Sequence, residues 1–544
     1  MGRRNTKQVK VGDIYIGSEY PVRVQSMLNT DTMDTEACVE QAIRIIDAGG
    51  ELVRITAPGV KEAKNLANIH AELRRRGYTT PLSADIHFNP EAAMEAAKHV
   101  EKVRINPGNF VDKRATFQML VYTDEEYGEE LRRLREKFTA FLDVCREHGT
   151  AVRIGTNHGS LSDRIMSRYG NTPAGMVEAT MEYLRVCRDE EFDNVVISLK
   201  SSDCRVMVEA VRLLVRQMEK EGMDYPLHLG VTEAGEGEDG RIRSAVGIGT
   251  LLNEGLGDTI RVSLTEEPER EIPEALALSI LCSRIDVGVE PVKLDGCYSR
   301  PVLVADISKV DCIDEAVMEK LDFHVAAVND PVYGDMLRGG VRAPEIIYTE
   351  ALGPELTKLP DSVTVVVPFE MIDVAHVYNR KAVALISDKE FLRLSRPVEG
   401  DGIFVEVRNG KFMNADLARK LKENKSAVVV LTLDVASVAV YRFYLGGLER
   451  LGIENRVIIR LISKEKDVST LRLLAAANLG GLFLDRLGYG LWLSCTGVPD
   501  AFYGVQLSRD ILQSAGVRRY KTEFISCPGC GRTLYNLQES VARV

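Results

Sequence analysis

Short apolar runs alternate with amphipathic, helix-like segments along residues 20–285, and this alternation predicts repeated strand–helix units. Eight runs have strand character: Val22–Met27, Leu52–Thr56, Leu82–Ile86, Lys102–Asn106, Ala151–Thr156, Asn194–Lys200, Pro226–Val231 and Asp258–Leu264. After the first run, apolar residues recur at helical spacing behind Asp34, a candidate N-cap, and the pattern stops at Gly49. Eight units in about 265 residues match the size of a (β/α)8 TIM barrel, with an open doubly wound sheet as the alternative.

Charged side chains stand near the carboxyl ends of these strands, where a barrel carries its chemistry. Five strands carry a cation there: Arg54, Arg104, Arg153, Lys200 and Arg261. Like charges converge in a buried site at a high cost unless an anion neutralises them, and guanidinium groups bind phosphate oxygens in a bidentate manner. We therefore predict a TIM-barrel domain over residues 1–287 that binds a small ligand with more than one phosphate. Solvated charges on the barrel rim are the alternative.

A second candidate for phosphate binding lies just before the eighth strand. Gly247 and Gly249 are expected to open an apolar helix within Ser244–Gly257, and a helix N-terminus at this place often holds phosphate in barrels. A plain turn and helix start explains the segment equally well. The run Gly235–Gly240 has the spacing of a dinucleotide fingerprint, but three acidic side chains would face the pyrophosphate, so we reject that interpretation.

Residues 288–505 continue the strand–helix rhythm, and we interpret them as a second α/β domain, a degenerate barrel with a mainly structural role. The predicted strands are Val302–Ile307, Phe323–Val328, Val363–Val367, Ala382–Ser387, Ile403–Val407, Ala427–Leu433, Arg456–Ile462 and Gly481–Leu484. Few of these strands end in cations that could converge on a ligand. We therefore predict no catalytic site in this domain.

Composition and charge exclude several classes of protein. The chain of 544 residues is 45% apolar and 27% charged, as in globular proteins, and its 69 basic and 80 acidic residues leave a net charge of −11. This acidic balance argues against a nucleic-acid or anionic-membrane binder. No apolar run reaches the roughly 18 residues of a membrane helix, and the N-terminus lacks the apolar core of a secretory signal. Scattered cysteines indicate a reducing cytoplasm.

One pair of cysteines is closely spaced, Cys527 and Cys530 in the run Ser526–Arg532. A Cys-x-x-Cys turn with proline and glycine lets two thiolates face one metal ion or cluster. One pair supplies only half of such a site, and a thioredoxin-like redox pair is the other option. Only 14 residues follow Cys530, so residues 506–544 are interpreted as the beginning of a further domain, incomplete in this chain.

Seven motifs together resemble the 4-hydroxy-3-methylbut-2-enyl diphosphate synthases, iron–sulfur enzymes of the non-mevalonate isoprenoid pathway. They are Val24–Met27, Ala84–Phe88, Val103–Asn109, Arg153–Ser160, Leu227–Gly235, Asp258–Ser263 and Cys527–Arg532. The large middle domain is similar to that of the three-domain form of plants, chlamydiae and related bacteria. Without a transit peptide, a bacterial cytoplasmic protein is expected.

The resemblance implies an oxidoreductase that opens and reduces the ring of 2-C-methyl-D-erythritol 2,4-cyclodiphosphate, giving 4-hydroxy-3-methylbut-2-enyl diphosphate. It implies a [4Fe–4S] cluster on a C-terminal α+β domain and flavodoxin or ferredoxin as electron donor. The implied diphosphate ligands are Arg54, Arg104, Arg153, Lys200, Arg261 and Ser263. Glu233 would assist proton transfer to the departing hydroxyl, and Cys527 and Cys530 would bind the cluster. The implied pocket residues are Asp85, His87, Asn106, Asn157, His228 and Thr232.

The family pattern also requires a third cysteine and a glutamate as cluster ligands well beyond the cysteine pair, and the sequence ends at Val544 without them. We therefore expect a truncated or fragmentary chain whose barrel binds substrate while the cluster is incomplete. Two other functions stay open. One is a cluster-free barrel synthase of the pteroate type, and the other is a non-catalytic phosphate-binding or zinc-ribbon protein. A monomer or a homodimer is expected.

Overall fold

The computed structural model describes residues 3–86, 88–112, 121–283, 298, 300–323, 343–379, 381–395, 402–408, 414–523 and 529–530. The chain divides into two compact units. Unit 1 comprises Met1–Asp286 with Phe524–Val544, and unit 2 comprises Val287–Glu523. None of the described helices is long and apolar enough to cross a lipid bilayer.

Unit 1 begins with an antiparallel hairpin of strands β1 (Val9–Val11) and β2 (Ile14–Ile16), which the sequence pattern did not predict. Gly12 at its turn has a φ of 58°, a conformation that glycine adopts without steric cost. The hairpin buries its apolar side chains against residues near the start of three barrel strands, in a cluster of Val9, Val11, Ile16, Leu52, Ala151 and Val196. It therefore closes the amino-terminal end of the barrel.

Eight parallel strands form the first barrel: β3 (Arg23–Met27), β4 (Leu52–Ala57), β5 (Leu82–Ile86), β6 (Lys102–Ile105), β7 (Ala151–Asn157), β8 (Val195–Lys200), β9 (His228–Leu229) and β10 (Thr259–Ile260). Their order in the sheet is β8-β7-β6-β5-β4-β3-β10-β9. A parallel bridge between Ile197 and Leu227 joins β8 to the residue before β9 and closes the sheet. All eight predicted runs contain a strand, and the predicted TIM barrel is confirmed.

The helices around this barrel are α1 (Thr35–Asp47), α2 (Val60–Arg75), α3 (Pro90–Ala96), α4 (Asp124–His148), α5 (Asp163–Tyr169), α6 (Pro173–Asp189), α7 (Cys204–Lys220), α8 (Gly237–Asn253) and α9 (Glu271–Ser283). The predicted N-cap is confirmed, because the Asp34 side chain accepts a hydrogen bond from the Ala37 amide. Asn89 caps α3 in the same way, ahead of Pro90.

The predicted helix start near Gly247 is wrong, because α8 begins ten residues earlier at Gly237. A Cβ atom at Gly247 would lie 2.6 Å from the Val231 side chain, so this glycine allows close packing instead of opening a helix. The true first turn of α8 carries Glu238 and Asp239, which oppose an anion. This helix therefore offers no phosphate site of the predicted kind.

Unit 2 contains a closed barrel of eight parallel strands: β11 (Val302–Asp306), β12 (Ile346–Tyr348), β13 (Thr364–Pro368), β14 (Val383–Ser387), β15 (Phe404–Arg408), β16 (Val428–Leu433), β17 (Val457–Ser463) and β18 (Gly490–Cys495). Each strand pairs with the next, and β18 pairs with β11. The sequence predicted a degenerate barrel, whereas the structure has a complete ring of strands.

In the part of unit 2 that the structure describes, the helices are α10 (Glu315–Lys320), α11 (Ile372–Tyr378), α12 (Asp388–Arg393), α13 (Ala415–Glu423), α14 (Val438–Arg450), α15 (Val468–Leu484) and α16 (Tyr503–Ser514). The predicted strand Gly481–Leu484 is wrong, because it is the end of α15, a helix buried around most of its surface. The predicted strand Phe323–Val328 lies outside the described residues beyond Phe323. Since α16 packs against β11 and β18, unit 2 continues past the predicted boundary at residue 505.

The polar side chains inside the second barrel satisfy one another. Arg460 Nη1 lies 3.0 Å from Glu406 Oε1, and its guanidinium stacks 3.8 Å from the centre of the Trp492 ring. The Trp492 indole N–H donates to Asp306 Oδ2 at 2.9 Å. Among the described residues of this interior, Arg460 contacts two carboxylates, so positive charge is not in excess there.

Candidate active site

Five cationic side chains meet inside the first barrel, at most 7% exposed: Arg54, Arg104, Arg153, Lys200 and Arg261. The strand register accounts for this convergence. Arg104 on β6 is level with Asp85 on β5 and with Arg153 on β7. Neighbours in register point to the same face of a sheet, which here is the barrel interior. The structure therefore brings together the five cations that the sequence placed near strand ends.

Asp85 is shared by two of the arginines. Arg104 Nη1 donates to Asp85 Oδ1 at 2.9 Å, and Arg54 Nε lies 3.4 Å from Asp85 Oδ2. Arg104 Nη2 also donates to the carbonyl of Gly155 at 2.8 Å. Asp85 therefore holds two guanidinium groups side by side and neutralises only one of them.

Arg261 has its own carboxylate in Glu271, at the start of α9. Arg261 Nε and Nη2 donate to the two carboxylate oxygens of Glu271 at 3.0 and 2.9 Å. The Ser26 hydroxyl donates to the same carboxylate at 2.6 Å. The sequence analysis missed Glu271, since an acidic residue in a first helical turn is usually a surface residue.

Arg153 and Lys200 form no salt bridge with a described carboxylate. Arg153 Nη1 donates to the Ser198 hydroxyl at 3.1 Å, and its Nε has no hydrogen-bond partner among the described residues. Arg54 directs Nε and Nη2 at the Met27 sulfur, at 3.0 and 2.8 Å, and a thioether is a weak acceptor. Five cations thus face two carboxylates, and hydrogen-bond donors remain for a further anion.

Burial destabilises the charged forms of the cationic side chains in the first barrel. It lowers the pKa of Lys200 well below the ordinary value, and the charges of Arg54 and Arg153 lower it further. Burial also lowers the pKa of Arg54, to about 10. Because an anion would reverse these effects, the site is electrostatically prepared for a negatively charged ligand.

Two glycines make room for the cations. A Cβ atom at Gly155 would lie 2.6 Å from Arg104 Nε, and one at Gly230 would lie 2.6 Å from Lys200 Nζ. Real Cβ atoms essentially never come that close to another heavy atom. The absence of these side chains lets both cations lie against the neighbouring strand.

We expect Gly230→Ala to displace the Lys200 amine and to raise KM for an anionic substrate by roughly 10- to 100-fold, because small misplacements are costly in a preorganised site. Steady-state kinetics measures the change. Gly128→Ala is the matched control, since the position is open within α4 and alanine favours a helix. Equal KM values for the two variants would show that Lys200 does not need this space.

Asn106 connects two loops at the barrel mouth. Its Nδ2 donates to the Ser160 hydroxyl at 3.1 Å, and its Oδ1 accepts from the Gly108 amide at 3.2 Å. A Cβ atom at Gly108 would lie 1.7 Å from the Ser160 carbonyl oxygen. Asn106 thus braces its own loop after β6 and ties it to the loop after β7. Asn157 ends β7, half-buried and level with Lys200.

Glu233 is exposed in the loop after β9, with a φ of 53°. This left-handed conformation is uncommon for a residue other than glycine, and such strain is concentrated at functional sites. The neighbouring Thr232 is half-buried, and its amide donates to the Ser201 carbonyl at 3.1 Å. Ser263 is 3% exposed and lies two residues after Arg261. The mouth of the barrel therefore carries an accessible carboxylate close in sequence to buried strand ends.

His228 lies within the barrel interior, and its Nδ1 is 2.6 Å from Gln25 Nε2. Burial lowers the pKa of His228 well below its ordinary value, and Lys200 lowers it further, so the ring is neutral at physiological pH. His87 lies outside the described residues. The sequence analysis did not assign a role to Gln25 or to Lys102, which are both buried.

The cysteine pair is described only in part. Cys530 is half-buried, and Cys527 lies outside the described residues. Within the described ranges, no group of three or more His, Cys, Asp or Glu side chains could hold a metal ion. Two thiolates are the right chemistry for an iron–sulfur cluster but supply only half of its usual protein ligands.

The fold and the site define a (β/α)8-barrel protein with excess buried positive charge among its strands, the class of barrel that binds phosphorylated small molecules. The family model described as "GcpE TIM-barrel domain" matches residues 6–276. The chain is 46% identical over 548 residues to the 4-hydroxy-3-methylbut-2-en-1-yl diphosphate synthase (flavodoxin) of Parabacteroides distasonis, covering 100% of this chain and 87% of that protein. The synthase of Phocaeicola vulgatus is 44% identical at the same coverage, and that of Protochlamydia amoebophila is 39% identical, with 86% of its length covered.

The chain belongs to the 4-hydroxy-3-methylbut-2-en-1-yl diphosphate synthase family. The resemblance carried by the seven sequence motifs is thereby confirmed. Family membership also favours the synthase over the pteroate-type alternative, which shared the barrel and a diphosphate ligand but needed no cluster.

Proposed function

We propose that this chain carries out the reaction of its family, the reductive ring opening of 2-C-methyl-D-erythritol 2,4-cyclodiphosphate to 4-hydroxy-3-methylbut-2-enyl diphosphate. It is accordingly an oxidoreductase of isoprenoid biosynthesis. The observation that carries the proposal is the excess of buried cations in the first barrel. Arg153 and Lys200 form no salt bridge with a described carboxylate, while Asp85 and Glu271 serve the other three.

The diphosphate of the substrate would occupy the interior beside these cations. Arg153 Nε and the Lys200 amine supply donors, and Arg54 would exchange the Met27 sulfur for a phosphate oxygen, a far stronger acceptor. Arg104 and Arg261 are fixed by Asp85 and Glu271, so they present positive charge in a set orientation. Ser263 adds a hydroxyl two residues beyond Arg261.

Glu233 is the proposed acid that assists departure of the substrate hydroxyl. Its exposure at the mouth gives the carboxyl access to protons from solvent, and its left-handed backbone is the kind of strain that is concentrated at functional sites. Asn106 acts through the loops that it joins. Around the ligand, the proposed pocket residues are Asp85, His87, Asn157, His228 and Thr232.

A [4Fe–4S] cluster is the proposed cofactor, with Cys527 and Cys530 as two of its ligands. When bound, such a cluster supplies the electrons that the ring opening consumes. Flavodoxin is the proposed electron donor, because the names of the relatives carry it, and ferredoxin is the alternative. We place the protein in the bacterial cytoplasm, as a monomer or homodimer, with the second barrel in a mainly structural role.

Iron and sulfide per chain after anaerobic reconstitution test the cofactor. In a protein that also carries the third cysteine and the glutamate of the family pattern, we expect about four irons per chain, a broad visible absorbance, and loss of both in Cys530→Ser. Cys312→Ser is the control, since Cys312 is an exposed cysteine of unit 2. Stoichiometric zinc without cluster absorbance would contradict the proposal and favour the zinc-ribbon alternative.

A further inference from the structure

A lysine that the proposed reaction does not use lies at the floor of the first barrel. Lys102, the first residue of β6, is 0% exposed. Its Nζ has no hydrogen-bond partner among the described residues. A fully buried lysine amine without a protein hydrogen-bond partner is rare, because burial of an unpaired ammonium group is costly.

The register places Lys102 below the arginines. Lys102 is level with Ser83 on β5 and with Ala151 on β7, one inward position below Arg104 and Arg153. Ala151 belongs to the apolar cluster against the β1–β2 hairpin, so the space beneath Lys102 is closed. The open direction is upward, toward the cation cluster.

The surroundings of Lys102 carry more positive than negative charge. The inward-facing titratable groups of the neighbouring strands are Arg54 on β4, Asp85 on β5, Arg104 on β6, Arg153 on β7, Lys200 on β8 and His228 on β9. Asp85, the single carboxylate in this set, is paired with Arg104 and Arg54. Burial lowers the pKa of Lys102 well below its ordinary value, and Arg153 and Arg54 lower it further.

Other polar atoms nearby also lack partners. Ser83 Oγ and His228 Nε2 are buried without hydrogen-bond partners among the described residues. Ser83 is level with Lys102 and also with Arg54, so the two polar groups share one layer of the barrel. Polar atoms without hydrogen-bond partners lie here beneath an excess of cations. This arrangement is expected where a group becomes charged only when an anionic ligand binds.

We propose that Lys102 is a further positioning residue of the anion site, an uncharged amine in the free protein that takes up a proton when the substrate diphosphate enters above it. The proton comes from solvent, and no bond to the substrate is required. The positive charge on Lys102 then attracts the anion electrostatically from beneath the layer of Arg153 and Arg54. This inference rests on the proposed function of the cation cluster.

Isothermal titration calorimetry with 2-C-methyl-D-erythritol 2,4-cyclodiphosphate tests the proton uptake proposed for Lys102. Titrations at one pH, in buffers of different protonation enthalpy, give the number of protons taken up on binding. We expect the wild-type protein to take up protons on binding. Lys102→Met should take up about one proton fewer and bind roughly tenfold more weakly, with a flatter dependence of affinity on pH. Since binding requires protonation, wild-type affinity should fall as pH rises. Lys64→Met, at an exposed position of α2, is the control.

Stability separates this role from a structural one. Removal of an unpaired buried amine should raise the unfolding midpoint of Lys102→Met, and Lys102→Gln provides a second variant that keeps a polar group. Proton uptake by both variants equal to that of the wild type would overturn the inference and leave the proposed function intact. A wild-type protein that does not bind the cyclodiphosphate would overturn both.

Discussion

Arg153→Met is expected to lower kcat/KM for the cyclodiphosphate by about 10²- to 10³-fold while making the protein more stable. Arg153 is 1% exposed, and no described carboxylate pairs with it. Burial, with Arg54 and Arg104, lowers the pKa of Arg153, which means that its charge is unfavourable in the free protein. Loss of a buried phosphate ligand typically costs 2–5 kcal/mol in the complex, roughly the stated factor.

Kinetics and calorimetric unfolding of the same variant measure the two effects. The free energy of unfolding should rise by about 1–3 kcal/mol, since a buried unpaired charge is replaced by an apolar side chain of similar length. Arg133→Met is the matched control, because Arg133 is a half-exposed residue of α4 paired with Glu130. A variant that loses stability and activity together would mean that Arg153 supports the fold instead of the ligand.

Glu233→Gln is expected to lower kcat by about 10²- to 10⁴-fold, the usual contribution of general acid–base catalysis, with little change in substrate affinity. Glutamine keeps the shape of the side chain and cannot supply the proton. Glu233 is exposed and separate from the buried cations, so binding of the diphosphate should not depend on its charge. Single-turnover kinetics with a chemical reductant, together with the Kd of the substrate, separates the two steps.

Glu236→Gln is the control for Glu233, because Glu236 is exposed in the same loop and its side chain makes no capping hydrogen bond with α8. If Glu233→Gln raised Kd without lowering kcat, the carboxylate would act in binding. If neither quantity changed, another group would supply the proton.

The first barrel could be predicted from sequence because its strands are short apolar runs separated by clear helix signals. Asp34 and Asn89 are caps whose chemistry is local, so their roles follow from neighbouring residues alone. Buried helices were harder. The helix α15 is apolar on most sides, so its end at Gly481–Leu484 has no helical periodicity and resembles a buried strand.

The cation cluster was predictable in part, since the strand pattern identifies all five cations without knowledge of their contacts. Their partners were not, because Asp85 and Glu271 are chosen by strand register and by the packing of α9. The burial of Lys102 could not be predicted either, because its neighbours lie on several strands that come together only when the barrel closes. The predicted start of α8 was misplaced because Gly247 lies inside the helix and allows close packing, a role that sequence alone does not separate from a turn.

The crystal structure of the full chain with bound 2-C-methyl-D-erythritol 2,4-cyclodiphosphate tests the central claim most directly. We predict phosphate oxygens about 2.7–2.9 Å from donors of Arg153 and Lys200, with the Arg54 guanidinium turned from the Met27 sulfur toward the ligand. A diphosphate bound elsewhere, with the five cations arranged as in the free protein, would contradict the account.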